Sequence, residues 1–208
     1  TWGTQTTTDD SEGEIISHSK HIPSQENILS KYIKFEGNIS QIPPKVSAVK
    51  INGTRAYKLA RNNLNFTIKP KNVFVKKIDL LKHDYNKTIF KIICGKGFYI
   101  RSLARDLALD LDTFGHISAL ERLKVGKFSK ENSILLDDLL KIGERHPNFN
   151  FILSTLSMLD DILAIEINDE NDLRNLSFGK SIKINEEHTN NSLSSNLDKK
   201  LVFLSNNG

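Results

Sequence analysis

A chain of 208 residues, 38% hydrophobic and 26% charged, has apolar matter for one sizeable core or for a domain with a small appendage, which excludes a disordered polypeptide. No apolar run reaches the length that spans a bilayer, and a single cysteine, Cys94, excludes an intrachain disulfide framework and multi-cysteine metal sites; a reducing, cytoplasmic setting is expected. The net charge of +4 is unevenly spread: residues 37–78 hold nine basic side chains and no acidic one, while the remainder carries 20 basic against 25 acidic residues, an electrostatic footprint for a polyanion.

In chain order, residues 4–13 are polar and threonine-rich, contain Asp9 and Asp10, and read as a loop or turn. Weak alternation predicts a short strand over residues 14–19. Ser24 is placed as an N-cap, Ile28, Leu29, Tyr32, Ile33 and Phe35 form a helical stripe, and Gly37 closes it. Residues 41–44, Gln-Ile-Pro-Pro, are extended, because each proline disfavours helix in the residue before it. A strand is predicted over residues 46–51, entering a type I′ turn at Asn52-Gly53, with a short helix over 55–61.

Strands over 73–81 and 88–94 flank a turn at 84–87. From Tyr99 the spacing becomes helical, with Ile100, Leu103, Ala104, Leu107 and Leu111 on one stripe. Residues 124–128 suggest a strand and 135–142 a short helix. A linker is expected near 143–150, around Gly143 and Pro147. Beyond it the pattern reads strand (163–167), short helix (170–176), turn at Gly179 and strand (181–184), followed by an Asn- and Ser-rich loop over 185–200. Residues 201–208 read as a strand and turn with nothing to pair against, and the chain begins Thr1-Trp2 without Met, so a fragment is expected.

The segment 94–107 carries the chemistry. A β-branched run feeds a helix through Gly95 and Gly97 and sets Tyr99 and Arg101 two residues apart at the helix mouth, a common place for ligands in α/β proteins. Arg101 has Ala104 and Arg105 at i+3 and i+4, hence no carboxylate partner one turn along its own helix. If buried it needs a distant acid, for which Asp9 and Asp10 are candidates, although such residues often simply form turns. The six histidines lack metal-ligand spacing, and no Walker loop, dinucleotide fingerprint, serine elbow or zinc cluster is present. The residues alone indicate an α/β protein that binds nucleic acid.

Three segments in order resemble the TruB-type tRNA pseudouridine synthases: residues 2–14; residues 41–50 continued by Gly53, Ala56, Tyr57, Ala60 and Arg61; and residues 97–107 with 120–128. The resemblance implies an α/β (α+β) fold: a pseudouridine-synthase mixed sheet flanked by helices over residues 1–145, with a small, mostly-β, PUA-like appendage over 151–208. It also implies isomerisation of uridine 55 in the tRNA T-arm loop by an aspartate nucleophile lying upstream of Thr1, so that these residues alone are expected to be inactive. No metal, cofactor or guide RNA is implied, and a cytoplasmic monomer is expected.

By residue, Tyr99 matches the tyrosine that stacks on the target base and assists proton loss from C5. Arg101 matches the arginine that pairs with the nucleophile, and Asp10 a second acid of that network. Leu120 matches an apolar residue of the uracil pocket, while Lys50, Tyr57 and Arg61 are assigned to tRNA binding. Phe98, where Thr is frequent, and Glu121, where Arg is frequent, depart from the pattern. Two other readings stay open: a non-catalytic tRNA-binding or tRNA-folding protein on the same scaffold, and an α/β domain with an incidental basic face.

Overall fold

The computed structural model describes residues 1–142, 152–153, 163–167, 169–183 and 202–205. Two compact units emerge, Thr1–Glu121 and Arg122–Gly208. The expected linker at 143–150 lies outside the described residues.

The first unit opens with β1 (Thr4–Thr6) and β2 (Ile15–His18), paired antiparallel with a bulge between Gln5 and Thr6. Part of the stretch expected to be loop is therefore strand: β-branched threonines suit a pleated edge, and Trp2 forms a backbone bridge to Gly115 beside it. Helix α1 (Gln25–Lys31) is capped by Ser24, whose hydroxyl accepts from the Asn27 N–H at 3.2 Å. A 3₁₀ turn over Tyr32–Phe35 follows, and Gly37, at φ 84°, starts β3 (Gly37–Gln41).

Next come β4 (Lys50–Ile51), β5 (Thr54–Arg55) and α2 (Ala56–Arg61). Asn52 and Gly53 both take positive φ, as a type I′ hairpin turn requires. The strand predicted over 46–51 survives only at its last two residues. Its preceding carbonyls are taken by other partners: Val46 O by Arg101, Ser47 O by the Tyr57 N–H, Ala48 O by Arg55 and Val49 O by the Ala56 N–H. No ladder is left for a neighbouring strand.

Strands β6 (Lys71–Asp84) and β7 (Lys87–Cys94) complete a sheet of order β3-β6-β7, antiparallel throughout. Helix α3 (Ile100–Asp110) packs its Leu103 with Val75 and Ile78 of β6, while Leu107, Ala108 and Leu111 pack with Trp2 and Ile28. Phe98, the departure noted above, packs against the Val75–Ile78–Leu103 group. The core thus holds α3 by its apolar stripe, and the opposite face of its first turns is left for polar work.

In the second unit, β8 (Lys124–Val125) and β9 (Phe128–Ser129) form a hairpin across Gly126, at φ 57°, where one strand was predicted. Helix α4 spans Leu136–Ile142. Further on, β10 (Leu163–Glu166), α5 (Glu170–Ser177) and β11 (Val202–Ser205) follow the predicted order, but β11 does have a partner: it pairs in parallel with β10, Leu163 opposite Val202. A parallel pair needs a crossover, and α5 lies within that connection. Pattern alone misses such pairing, because its partner lies some forty residues earlier. Residues 181–183 join no strand, contrary to expectation.

Candidate active site at the mouth of helix α3

Tyr99 is the N-cap of α3, extended at φ −109° and ψ 110°, and its carbonyl accepts the first helical bond from the Leu103 N–H at 3.1 Å. Gly97, at φ 82°, makes the turn that reaches it from β7. The half-buried Tyr99 is held from behind by Gln41, the last residue of β3. The Tyr99 N–H donates to Gln41 Oε1 at 2.9 Å, and Gln41 Nε2 donates to the Tyr99 carbonyl at 3.1 Å.

Two residues on, Arg101 lies partly buried. Its Nη1 donates to Asp10 Oδ2 at 3.0 Å and to the Thr8 carbonyl at 2.9 Å; its Nη2 donates to the Val46 carbonyl at 2.9 Å. Asp10 is thus the distant acid that Arg101 required. Its other oxygen, Oδ1, accepts from the Thr8 hydroxyl and from the Glu12 N–H at 3.1 Å. Burial pushes this carboxyl up, but the Thr8 and Glu12 hydrogen bonds together with Arg101 outweigh it and hold Asp10 below the usual carboxylate range.

A second pair runs alongside. One helical turn on from Arg101, Arg105 donates from Nη1 to Asp9 Oδ2 at 3.1 Å, from Nη2 to the Ile42 carbonyl at 2.8 Å and from Nε to Asp106 Oδ1 at 2.8 Å. Burial pushes the Asp9 carboxyl up, and Arg105 and Arg101 offset only part of that. Asp9 takes φ 61°, and its carbonyl receives the Ile117 N–H at 3.1 Å, which pins the loop. Ser102 completes the face by donating from its hydroxyl to the Ile42 carbonyl at 2.8 Å.

The structure thus joins Tyr99, Arg101 and Asp10 in one place. Tyr57 and Arg61 sit together on α2, the guanidinium 5.6 Å from the ring centroid, a cation–π distance. Lys50 is exposed on β4 of the adjoining hairpin. Leu120 is 62% exposed, beyond the segment that pins Asp9. Gln41, Ser102 and the Asp9–Arg105 pair went unassigned from sequence. The signal for the pair was present: two consecutive acids facing two arginines one helical turn apart. Gln41 and Ser102 gave no such signal, since their partners are backbone atoms.

Against known proteins, the model of the TruB family pseudouridylate synthase N-terminal domain matches residues 1–100, and that of the tRNA pseudouridylate synthase B C-terminal domain matches residues 101–164. The chain is 48% identical over 145 residues to tRNA pseudouridine synthase B of Anaplasma marginale (strain St. Maries), covering 69% of this chain and 47% of that protein. To the protein of the same name from Ehrlichia chaffeensis (strain ATCC CRL-10679 / Arkansas) it is 37% identical over 187 residues, covering 88% and 63%. It therefore spans about half to three-fifths of these curated relatives. A chain of a Cbf5-Nop10-Gar1 complex aligns with a TM-score of 0.59 at 23% identity, over 76% of this chain and 45% of that one, a likeness of fold alone.

Proposed function

The chain belongs to the TruB family of pseudouridylate synthases, and from that premise we propose that it supplies the Tyr99–Arg101–Asp10 part of a tRNA pseudouridine synthase acting on uridine 55 of the T-arm loop. One observation carries the reading. Arg101 is anchored at Nη1 by Asp10 and at Nη2 by Val46, and its Nε and second Nη2 proton have no hydrogen-bond partner among the described residues. That open edge suits a second carboxylate, the aspartate nucleophile supplied by chain preceding Thr1. A guanidinium beside it keeps such a nucleophile ionised at neutral pH.

In this reading the flipped uracil stacks on the Tyr99 ring, which offsets part of the unstacking cost of a few kcal/mol. The aspartate attacks C1′ as the N1–C1′ bond breaks, the freed uracil anion turns, and C5 bonds to C1′ as the C1′–aspartate bond breaks and the carboxylate leaves. C5 then loses its proton with help from Tyr99, and N1 ends protonated. Product and substrate are isomers, so the balance needs no redox partner or cofactor. The basic hairpin and helix bearing Lys50, Tyr57 and Arg61 track the tRNA backbone, and Leu120 lines the uracil pocket. The protein works as a cytoplasmic monomer without a guide RNA.

The test uses the protein expressed from its complete reading frame and tRNA tritiated at uridine C5. Tyr99→Phe and Arg101→Ala are expected to slow tritium release on the order of 10³-fold, with tRNA affinity little changed. Full activity in either variant contradicts the assigned roles. Native protein that binds tRNA but releases no tritium would favour the non-catalytic binder.

A further inference from the structure

We infer that Gln41 is the positioning residue of the active-site tyrosine: its side-chain amide acts as a one-residue surrogate strand that fixes where α3 begins and hence where the Tyr99 ring points. The inference rests on the proposed function of Tyr99 and concerns a different residue and element.

An extended residue points its own N–H and C=O to the same side, as in a strand facing its neighbour. Tyr99 is such a residue, and what faces it is the Gln41 side chain, with Oε1 accepting at 2.9 Å and Nε2 donating at 3.1 Å. A primary amide is the side chain that offers one acceptor and one donor in this fork. Gln41 is only 3% exposed, and its backbone is locked in the β3–β6 ladder opposite Lys71, so the fork is held at its base. Ser102 and Arg105 fasten the next residue by both donating to the Ile42 carbonyl at 2.8 Å, and Arg101 reaches Val46. The strap over residues 41–46 is thus stitched to the face of α3 that carries Arg101, with Gln41 the stitch at Tyr99.

The consequence is conformational. The Tyr99 side chain itself makes no capping hydrogen bond to the α3 N-terminus. Without the fork, the Tyr99 N–H loses its partner and little opposes helical φ/ψ at this residue, which would swing the ring around the helix axis. A reacting-group displacement of about 1 Å costs on the order of 10²-fold in rate. Affinity for tRNA, which draws on the basic hairpin and helix, depends little on that ring.

The experiment measures single-turnover isomerisation and tRNA affinity separately, with protein from the complete reading frame. Gln41→Met, which keeps length and removes the fork, is expected to slow isomerisation about 10- to 100-fold while the tRNA Kd stays within about threefold. Gln41→Glu supplies the second readout. A protonated carboxyl again has one donor and one acceptor in the fork, whereas a carboxylate has only acceptors and repels the Tyr99 carbonyl. The rate of Gln41→Glu relative to native is therefore highest at low pH and falls as pH rises through the pKa of the introduced carboxyl, which burial raises. A residue that merely fills space does not let Gln41→Glu outpace Gln41→Met at low pH, where the protonated carboxyl restores the fork. Native rates in Gln41→Met, or a pH-independent rate ratio for Gln41→Glu, overturn the inference while leaving the proposed function intact. Absence of isomerisation by the native protein overturns both.

Discussion

Asp9 and Asp10 are adjacent, each bonded to an arginine of the same helix, yet their carboxyls are displaced in opposite directions. Asp10 is the more open and collects the Thr8 hydroxyl, the Glu12 N–H and Arg101, whereas Asp9 is 7% exposed and burial dominates. Linkage fixes the sign of each effect. A depressed carboxyl contributes stability that is present above its unfolded value, near 3.8, and is lost as pH falls through the folded value. A raised carboxyl does the reverse, its contribution declining as pH rises from 3.8 through the folded value. Asp10→Asn is therefore expected to destabilise at neutral pH by about 1–2 kcal/mol, with the deficit closing below about pH 4. In urea titrations across pH, the Asp9→Asn difference should move the opposite way: native protein loses ground to it as pH rises. Parallel pH profiles for the two variants would contradict the assignment. At this scale the sequence was legible where charge met charge: an unpartnered Arg101 demanded an acid, and Asp10 answers it. It was silent where a side chain serves the backbone, as Gln41 and Ser102 do, since nothing in residue type says which main-chain atoms lie opposite.

The elements that build the site are short and owe their shape to close approach. Loop 7–14 folds back on itself so tightly that a Cβ on Gly13 would stand 2.7 Å from the Thr8 nitrogen and 2.8 Å from Thr7 Oγ1, besides striking Thr8 Oγ1. Thr8 is the residue that orients Asp10 and offers its carbonyl to Arg101. Gly13→Ala should cost about 1–3 kcal/mol and loosen the Arg101–Asp10 pair. Thermal melting gives the first quantity, and loss of the Asp10 pH profile described above gives the second; a variant with native Tm and profile would show the loop to be slack. Elements with local signatures were read correctly from sequence, among them the Ser24 cap, the Asn52-Gly53 turn and the strand-to-helix passage into α3. Those fixed by distant partners were not. Residues 46–49 carry a strand-like pattern, but α2, Arg55 and Arg101 take their carbonyls, and β11 pairs with a strand well before it in the chain.

Over the whole molecule, charge sets the expected partner. The acid-free block over residues 37–78 includes the β4–β5 hairpin and α2, so Lys50, Lys58 and Arg61 are displayed on adjoining elements beside the strap that holds α3. Binding driven by counterion release makes log K fall linearly with log salt, by about 0.7–0.9 per phosphate neutralised. Replacing Lys50, Lys58 and Arg61 together by alanine should reduce the magnitude of that slope by about 2–3; an unchanged slope would move the RNA path elsewhere. The central claim is that Tyr99 and Arg101, held between loop 7–14 and the strap 41–46, serve a uridine isomerase. It is tested most directly by locating the product base. Protein from the complete reading frame is incubated with an unmodified tRNA transcript, and pseudouridine is mapped by carbodiimide adducts and primer extension. The account predicts a stop at uridine 55 that disappears with Arg101→Ala. A native protein that leaves uridine 55 unmodified, or an Arg101→Ala variant that converts it at the native rate, would contradict it.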